Sequence, residues 1–475
     1  MRKRLRIVLA AVLTACIFLN LPVSVSAEGE EWEALRQESY DTQPDTNGLK
    51  GWPHGPQVWA KAAIVMDMDS GAVLYGKNID ERLYPASITK LLTALVALEN
   101  GDFSDEVVFS RDSVSFLESD HAKIGMKPGE SISMKDAMYA LLLASANEVA
   151  YAVAENVGQK TGGDYDTFIQ KMNEKSAQLG CTGSQWTNAN GLPDEEHYTT
   201  AYDMALIASE VSKHQELLDI METLSYTIET EQSEEEAKTF EQHHRMLWEG
   251  NAYYYPYCIG GKTGYTDSAG TTLVTMADNG QMRLAAVVLF DFGTDAYKDT
   301  KAMFDYVYGS FSKVGITRDD WPEEIRECVT DEPYVVLPQD VDVSALKTEF
   351  TVTDEKKAAG KMTFTYRNQA VGSMDVVFTP EYVESATGYT TRLSIGSLHD
   401  GDGKDGLGNA VLFLQSKAVV GAGAAGAVLF AAVLTVLLRG RRKNRRKIRR
   451  RRQCRRMKKE RKIYKKQKGG RENVL

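Results

Sequence analysis

The chain has 475 residues, of which 43% are hydrophobic, and its formal net charge is −10. This length and composition indicate two or three globular domains and argue against a chain that is disordered throughout. The charge is uneven, because residues 439–475 hold 21 Lys and Arg against two Glu, which leaves the rest strongly acidic. An acidic body predicts no nucleic-acid partner, since phosphate binding requires a basic surface.

The N-terminus has the pattern of a secretory signal. A basic start is followed by an apolar stretch at 7–21 and by Val25-Ser26-Ala27 before the acidic Glu28. This pattern predicts a signal peptide at 1–27 that is cut after Ala27. Residues 13–16 also resemble a lipoprotein box, but apolar residues follow Cys16, and ordinary cleavage is the favoured interpretation. Residues 28–60 are predicted to be a polar linker.

Residues 61–312 are predicted to form an α/β domain. Apolar runs on either side of Asp69-Ser70-Gly71 predict two strands joined by a tight turn. Leucines recur at helical spacing from Leu91 to Leu98, which places Ser87 at the first turn of a buried helix. Strands at both ends with helices between them indicate one sheet closed by distant parts of the chain. The further predictions are helices at 134–157, 165–179, 200–213 and 296–311, and strands at 271–277 and 284–290.

Beyond Pro322 the sequence changes to alternating β-type stretches, which predict a small β domain at 330–395. A Gly/Asp-rich linker at 396–417 follows. Residues 418–438 carry no charge over 21 positions, long enough to cross a hydrocarbon core of ~30 Å, and predict a transmembrane helix. The basic tail at 439–475 is then cytoplasmic by the positive-inside rule, and the mature chain before Ala418 is extracytoplasmic.

The cysteines and histidines give no metal or disulfide pattern. Cys181, Cys258 and Cys328 lie far apart in the extracytoplasmic part, so three scattered, mostly buried thiols are predicted. No HExxH spacing is present, and His243-His244 is interpreted as a surface pair. Neither a metal nor an organic cofactor is predicted.

Three short patterns occur in a fixed order: Ser87-Ile88-Thr89-Lys90, Ser145-Ala146-Asn147 and Lys262-Thr263-Gly264. Serine and lysine three positions apart on a helix share one face, with Cβ atoms about 5–6 Å apart. A lysine in a desolvated, cation-rich pocket loses its proton more easily and can then accept the serine's proton. Ser87 is therefore the predicted nucleophile and Lys90 its activator, with Lys262 as the neighbouring cation.

The second and third patterns supply the remaining predicted groups. Ser145 can relay a proton to a leaving group, and Asn147 can hold substrate and orient Lys90. Lys262-Thr263-Gly264 suits an edge strand, where the ammonium and hydroxyl would bind a free carboxylate and Gly264 would admit a substrate backbone. The backbone N–H groups of Ser87 and Tyr265 are the predicted oxyanion hole.

With these motifs the chain resembles the low-molecular-weight penicillin-binding D-alanyl-D-alanine carboxypeptidases over about 61–312. The resemblance implies a β-lactamase/transpeptidase-like fold, with an antiparallel sheet flanked by helices and a helical subdomain. It also implies removal of the terminal D-alanine from peptidoglycan pentapeptides, with β-lactams as covalent inhibitors. Further motifs that carry the likeness are Tyr84-Pro85-Ala86-Ser87, Asn190-Gly191-Leu192-Pro193-Asp194, His197-Tyr198-Thr199-Thr200-Ala201 and Gly261-Lys262-Thr263-Gly264-Tyr265-Thr266.

Two other functions use the same motifs. A β-lactamase or a transpeptidase differs only in whether water or an amine reaches the acyl-enzyme, and the segment after Asn190 shows no obvious Glu-x-x-Leu-Asn loop, which favours the carboxypeptidase. A non-catalytic wall-binding protein is the other alternative, disfavoured by the intact motifs. Glu148 departs from the resemblance, since many relatives have Asp there. The oligomeric state is not predicted.

Overall fold

The computed structural model describes residues 27–228 and 237–388. The strands are β1 (Ala62–Asp67), β2 (Val73–Lys77), β3 (Glu106–Val108), β4 (Ser131–Ser133), β5 (Ser225–Ile228), β6 (Lys238–Glu241), β7 (Cys258–Thr266), β8 (Gly270–Asp278), β9 (Arg283–Asp291), β10 (Phe311–Gly315), β11 (Ile325–Cys328), β12 (Tyr334–Pro338), β13 (Lys347–Asp354), β14 (Ala359–Tyr366) and β15 (Gln369–Phe378). The α-helices are α1 (Ala27–Asp41), α2 (Thr89–Asn100), α3 (Arg111–Ser115), α4 (Met134–Leu142), α5 (Asn147–Lys160), α6 (Tyr165–Gln178), α7 (Ala201–Val211), α8 (Gln215–Glu222), α9 (Asp295–Ser310) and α10 (Pro380–Thr387).

The central sheet is antiparallel, with the strand order β2-β1-β9-β8-β7. Strand β1 lies in its interior and is buried along its whole length, which explains its unbroken apolar sequence. Alternate side chains of β1 enter different cores, since Ile64 packs with the helical region and Val65 packs against α9. The predicted closure of one sheet by both ends of the catalytic region is confirmed, and β7 is left as an edge strand.

Helices α2 and α4 to α8 form the core on one face of this sheet. The helix predicted after Ser87 is α2, and Ser87 itself lies on a 3-10 turn, Ala86–Ile88, that leads directly into it. The nine buried residues of α2 make it the centre of the helical region, so the turn that carries Ser87 has a rigid support.

The single helix predicted at 134–157 is wrong, because the chain breaks between α4 and α5. Ser145 adopts a φ of +59°, and the Asn147 N–H donates to the carbonyl of Ala122 in a separate loop, at 2.9 Å. Apolar spacing continues through the break and no Gly or Pro marks it. The break is therefore set by tertiary contacts, and it turns Ser145 towards the sheet.

The prediction of a polar linker at 28–60 is also wrong. The segment contains α1, and Trp52 is 4% exposed within the core on the α9 face. Arg36 pairs with Asp295 at 2.7 Å, and the Trp59 N–H donates to Asp299. A few apolar and charged anchors hold this polar segment against the body, and composition alone does not reveal them.

The alternating β-type stretches beyond Pro322 form strands β12, β13, β14 and β15. β11, β15, β14 and β13 form one antiparallel sheet in that order, and β12 pairs with β10. This β region shares its core with the central sheet, as the stacking of Trp52 with Tyr366 shows. Cys181, Cys258 and Cys328 are free thiols; Cys181 is buried and the other two are half-buried.

Several predicted segments lie outside the described residues. These are residues 1–26 of the signal peptide predicted at 1–27, the linker at 396–417, the transmembrane helix at 418–438 and the basic tail. Among the helices at 27–228 and 237–388, none is both long and apolar enough to cross a membrane.

Candidate active site

A cleft of about 760 Å³ opens between the helical region and the edge strand β7. Its helical wall presents Ser87 and Ser145. Its strand wall presents Thr263, Gly264 and Tyr265. All three sequence patterns therefore meet in one cavity, although they lie far apart in the chain.

The turn before Ser87 is fixed from both sides. Ala86 has a φ of +50°, a conformation that costs a non-glycine residue about 1–3 kcal/mol and persists only where its surroundings impose it. Thr272 on β8 donates to the Pro85 carbonyl at 2.8 Å, and the Thr89 hydroxyl donates to the Ala86 carbonyl at 2.8 Å. These bonds hold the backbone on the N-terminal side of Ser87 in place.

Two glycines permit the close approach of the walls to this turn. A Cβ on Gly264 would lie 2.8 Å from the Ser87 nitrogen, and a Cβ on Gly191 would lie 1.9 Å from the Ala86 oxygen. Gly191 also has a φ of +86°. The backbone of β7 therefore packs directly against the Ser87 turn, and the segments that carry the Ser87 and Tyr265 N–H groups are adjacent.

Lys90 lies behind Ser87 and is fully buried. Its Nζ is 2.9 Å from Ser87 Oγ, 2.8 Å from Asn147 Oδ1 and 2.6 Å from the carbonyl oxygen of Asn190. Burial lowers the pKa of Lys90 well below its usual value, the charge of Lys262 lowers it further, and Glu148 opposes them.

The partners of Lys90 determine where its lone pair points. The amide oxygen of Asn147 and the carbonyl of Asn190 can only accept hydrogen bonds. A neutral amine has two protons, and these go to the two acceptors. Its lone pair then faces the Ser87 hydroxyl, which is the arrangement that proton abstraction requires.

Lys262 on β7 is 1% exposed, and the one hydrogen bond of its Nζ within the described chain goes to the carbonyl of Thr263 at 2.9 Å. Burial lowers the pKa of Lys262 to about 7. A cation with so little compensation is suited to receive an anionic group of a ligand. Arg245 lines the same cleft near Tyr297, whose ring centroid is 5.9 Å from the guanidinium.

Asn147 and Glu148 begin α5 and are buried. The Glu148 carboxylate accepts from the N–H groups of Ile124 and Gly125, at 2.7 and 2.9 Å. This interaction fixes the loop whose Ala122 lines the cleft. The glutamate at the position where many relatives have Asp thus supports the cavity wall, a role that the sequence did not indicate.

The structure brings all eight predicted site residues to this cleft or directly behind it: Ser87, Lys90, Ser145, Asn147, Lys262, Thr263, Gly264 and Tyr265. Sequence reasoning missed the Asn190 carbonyl and the side chain of Arg245. The Asn190-Gly191 motif was a signal for the first, while Arg245 lies in no recognisable pattern.

The interpretation of His243-His244 as a surface pair holds for His243 only. His244 is fully buried, with its Nε2 3.0 Å from Thr275 Oγ1. It alternates with exposed neighbours on an extended segment, so one histidine of the pair faces inwards.

A family description of D-alanyl-D-alanine carboxypeptidases matches residues 50–293. The chain is 31% identical over 325 residues to D-alanyl-D-alanine carboxypeptidase DacF of Bacillus subtilis, covering 63% of this chain and 78% of the relative. It is 33% identical over 273 residues to D-alanyl-D-alanine carboxypeptidase DacB2 of Mycobacterium tuberculosis, covering 56% of this chain and 86% of the relative. The matched region contains all three motifs.

Solved structures with the same fold include penicillin-binding protein 6B of Escherichia coli, with a TM-score of 0.54, 22% identity, and coverage of 70% of this chain and 98% of that chain. Another is the Streptomyces K15 DD-transpeptidase, with a TM-score of 0.50 and 24% identity, where the match covers 54% of this chain and 100% of that chain. At these identities the likeness establishes the penicillin-binding, transpeptidase-like α/β fold and nothing finer.

Proposed function

The chain belongs to the D-alanyl-D-alanine carboxypeptidase family of serine peptidases, and from this premise we propose that it removes the terminal D-alanine from peptidoglycan pentapeptide stems through an acyl-enzyme on Ser87. The observation that carries the proposal is the 2.9 Å contact between Lys90 Nζ and Ser87 Oγ, in a buried site that lowers the lysine pKa. Among the described residues that line the cleft, no second hydroxyl or thiol has a lysine or histidine nitrogen at hydrogen-bond distance.

In the proposed reaction, neutral Lys90 takes the proton of the Ser87 hydroxyl as Oγ forms a bond to the substrate carbonyl. The carbonyl oxygen gains negative charge beside the N–H groups of Ser87 and Tyr265, which act as the oxyanion hole. The C–N bond then breaks, and the amine of D-alanine leaves with a proton supplied by Lys90 or relayed by Ser145. Water hydrolyses the resulting ester and regenerates Ser87.

The strand wall supports a substrate that ends in a free carboxylate. Lys262 and Thr263 are placed to meet that carboxylate, and Arg245 adds a second positive charge in the same cleft. A substrate strand laid along β7 would extend the sheet at its open edge, beside Gly264. β-Lactams carry a carboxylate beside a reactive amide, so they fit the same site and acylate the same serine.

Release of D-alanine from a peptide ending in D-alanyl-D-alanine tests this proposal. Ser87→Ala should abolish release and covalent penicillin labelling, whereas Ser104→Ala, in an exposed turn, should retain both. Labelling that survives in Ser87→Ala would refute the assignment. Rapid penicillin turnover without D-alanine release would favour a β-lactamase, and transfer to an added amine would favour a transpeptidase.

We further propose that the chain is exported by residues 1–27 and anchored by residues 418–438, with the catalytic cleft outside and the basic tail in the cytoplasm. The 21 uncharged positions followed by an Arg/Lys cluster support this topology. Protease added outside intact cells should remove the catalytic part and leave the tail. Protection of the whole chain would refute the orientation.

The β region at 330–395 is proposed to act as a small domain that holds the cleft at a set height above the membrane. Its deletion is an unsuitable test, because the Tyr334 hydroxyl donates to Asp67 at 2.9 Å and removal would expose a shared core. Lengthening the 396–417 linker changes the height alone. Unchanged activity on the cell wall after lengthening would contradict the proposal.

A further inference from the structure

A chain of buried polar groups runs from His197 to the peptide that precedes Ser87. His197 is 1% exposed and is not among the residues that line the cleft. Its Nδ1 lies 3.1 Å from the Thr187 nitrogen and its Nε2 lies 2.9 Å from Thr89 Oγ1. The Thr89 hydroxyl in turn donates to the Ala86 carbonyl at 2.8 Å.

The directions of these hydrogen bonds follow from the donors. The Thr187 N–H can only donate, so Nδ1 of His197 must accept. Burial lowers the pKa of His197 to about 4, so the ring is neutral and its proton lies on Nε2. A hydroxyl has one proton, and that of Thr89 is directed to Ala86. Thr89 Oγ1 therefore accepts from His197 Nε2–H.

The hydrogen bond from Thr89 to the Ala86 carbonyl affects the proposed oxyanion hole. The Ala86 carbonyl and the Ser87 N–H belong to one planar peptide, and no cis peptide bond occurs in the described segments, so the two groups point in opposite directions. Holding the carbonyl therefore aims the N–H. Restraint is needed here, because the left-handed φ of Ala86 is one that alanine rarely adopts.

We propose that His197 is a positioning residue that, through Thr89, fixes the Ala86–Ser87 peptide and aims the Ser87 N–H at the developing oxyanion. The inference rests on the proposed function, in which that N–H stabilises the negatively charged oxygen. Thr272 restrains the preceding Pro85 carbonyl from the sheet side, and His197 supplies the corresponding restraint from the helical side.

Paired substitutions separate this role from simple packing, since His197 also contacts Trp186 edge to face. His197→Gln retains an N–H donor near the Nε2 position. His197→Asn retains an acceptor near Nδ1 and loses the bond to Thr89. In the purified full-length protein we would measure the rate of penicillin acylation, kcat and KM for a D-alanyl-D-alanine peptide, and the infrared carbonyl frequency of the penicilloyl ester.

His197→Asn should slow acylation about 10- to 100-fold, less than the full loss of an oxyanion-hole donor, with KM almost unchanged. Its ester carbonyl should absorb at a higher frequency, because the hydrogen bond from Ser87 N–H is weakened. His197→Gln should stay within about threefold of the wild-type rate, as expected for a retained donor.

Thr89→Val and Thr89→Ser provide a second pair in case a substituted His197 fails to fold. Thr89→Val removes the connecting hydroxyl and should reproduce the Asn effects, whereas Thr89→Ser retains the hydroxyl. Wild-type ester frequency and acylation rate in folded His197→Asn or Thr89→Val would overturn the inference and leave the proposed function intact. A wild-type protein that forms no ester on Ser87 would instead refute the proposed function itself.

Discussion

The two walls of the cleft each contain a fully buried lysine, but they surround it differently. On the helical wall, Lys90 has three oxygen partners within 2.9 Å. On the strand wall, Lys262 has one hydrogen bond within the described chain, to the carbonyl of its own neighbour, Thr263. Burial lowers the pKa of both lysines.

In the proposed reaction, this difference suits the two lysines to different tasks. Neutral dipoles around Lys90 orient its lone pair without giving it a directly bonded carboxylate that would keep it charged. Lys262 lacks such an environment, so a carboxylate that enters the cleft becomes its principal partner. The proposed function therefore assigns proton transfer to one wall and anion binding to the other.

Loss of the base should have the largest effect. Lys90→Met should reduce acylation about 10³- to 10⁴-fold, near the upper range for general base catalysis. Lys90→Arg should not restore the rate, because a guanidinium stays protonated. Stopped-flow penicillin acylation measures both, with the exposed Lys135→Met as the control. Substantial activity in Lys90→Arg would show that Lys90 supplies charge and not a proton acceptor.

Loss of the anion contact should have a smaller and more selective effect. Lys262→Met should lower kcat/KM about 10- to 100-fold for a peptide with a free carboxylate, the value of a charged hydrogen bond. The same peptide with an amidated C-terminus should be affected far less. The ratio of the two kcat/KM values is the measurement, and an equal loss for both substrates would contradict the division between the walls.

The pH dependence should separate the two lysines. Because Lys90 must be neutral, kcat/KM should rise with pH through its lowered pKa. Because Lys262 must be charged to bind a carboxylate, kcat/KM should fall again above about pH 7. Lys262→Met should remove the descending limb. It should also move the ascending limb to higher pH, since the charge of Lys262 lowers the pKa of Lys90. An unchanged profile in the variant would contradict this assignment.

The smallest effect should come from the bond that connects the walls. Thr272→Val removes the hydrogen bond to the Pro85 carbonyl and should destabilise the protein by about 1 kcal/mol. Acylation should slow by a few fold, through a looser Ser87 turn. Chemical denaturation and acylation kinetics measure the two effects, and Thr272→Ser should behave as wild type. A change as large as that of Lys90→Met would mean that the walls do not act separately.

The elements predicted well are those with a strong local pattern. Strands β8 and β9 and helix α2 follow directly from the spacing of their apolar residues. The break at Ser145 and the packing of 28–60 were mispredicted because neither has a local signal. A hydrogen bond from Asn147 to Ala122 accompanies the break at Ser145, and an ion pair between Arg36 and Asp295 holds the 28–60 segment. Each of these contacts joins residues that are well separated in the sequence.

The sequence alone was enough to predict which residues carry the proposed chemistry, because a serine and a lysine three residues apart on a helix share a face whatever surrounds them. Only the tertiary structure decided the orientation and pKa of Lys90 and the position of the Ser87 backbone. The carbonyl of Asn190 orients Lys90, and burial sets its pKa. The hydrogen bonds from His197 to Thr89 and from Thr89 to the Ala86 carbonyl hold the Ala86–Ser87 peptide. A contact with a backbone carbonyl and the burial of a side chain cannot be predicted from the residue pattern, since every residue has a carbonyl and any apolar neighbour can exclude water.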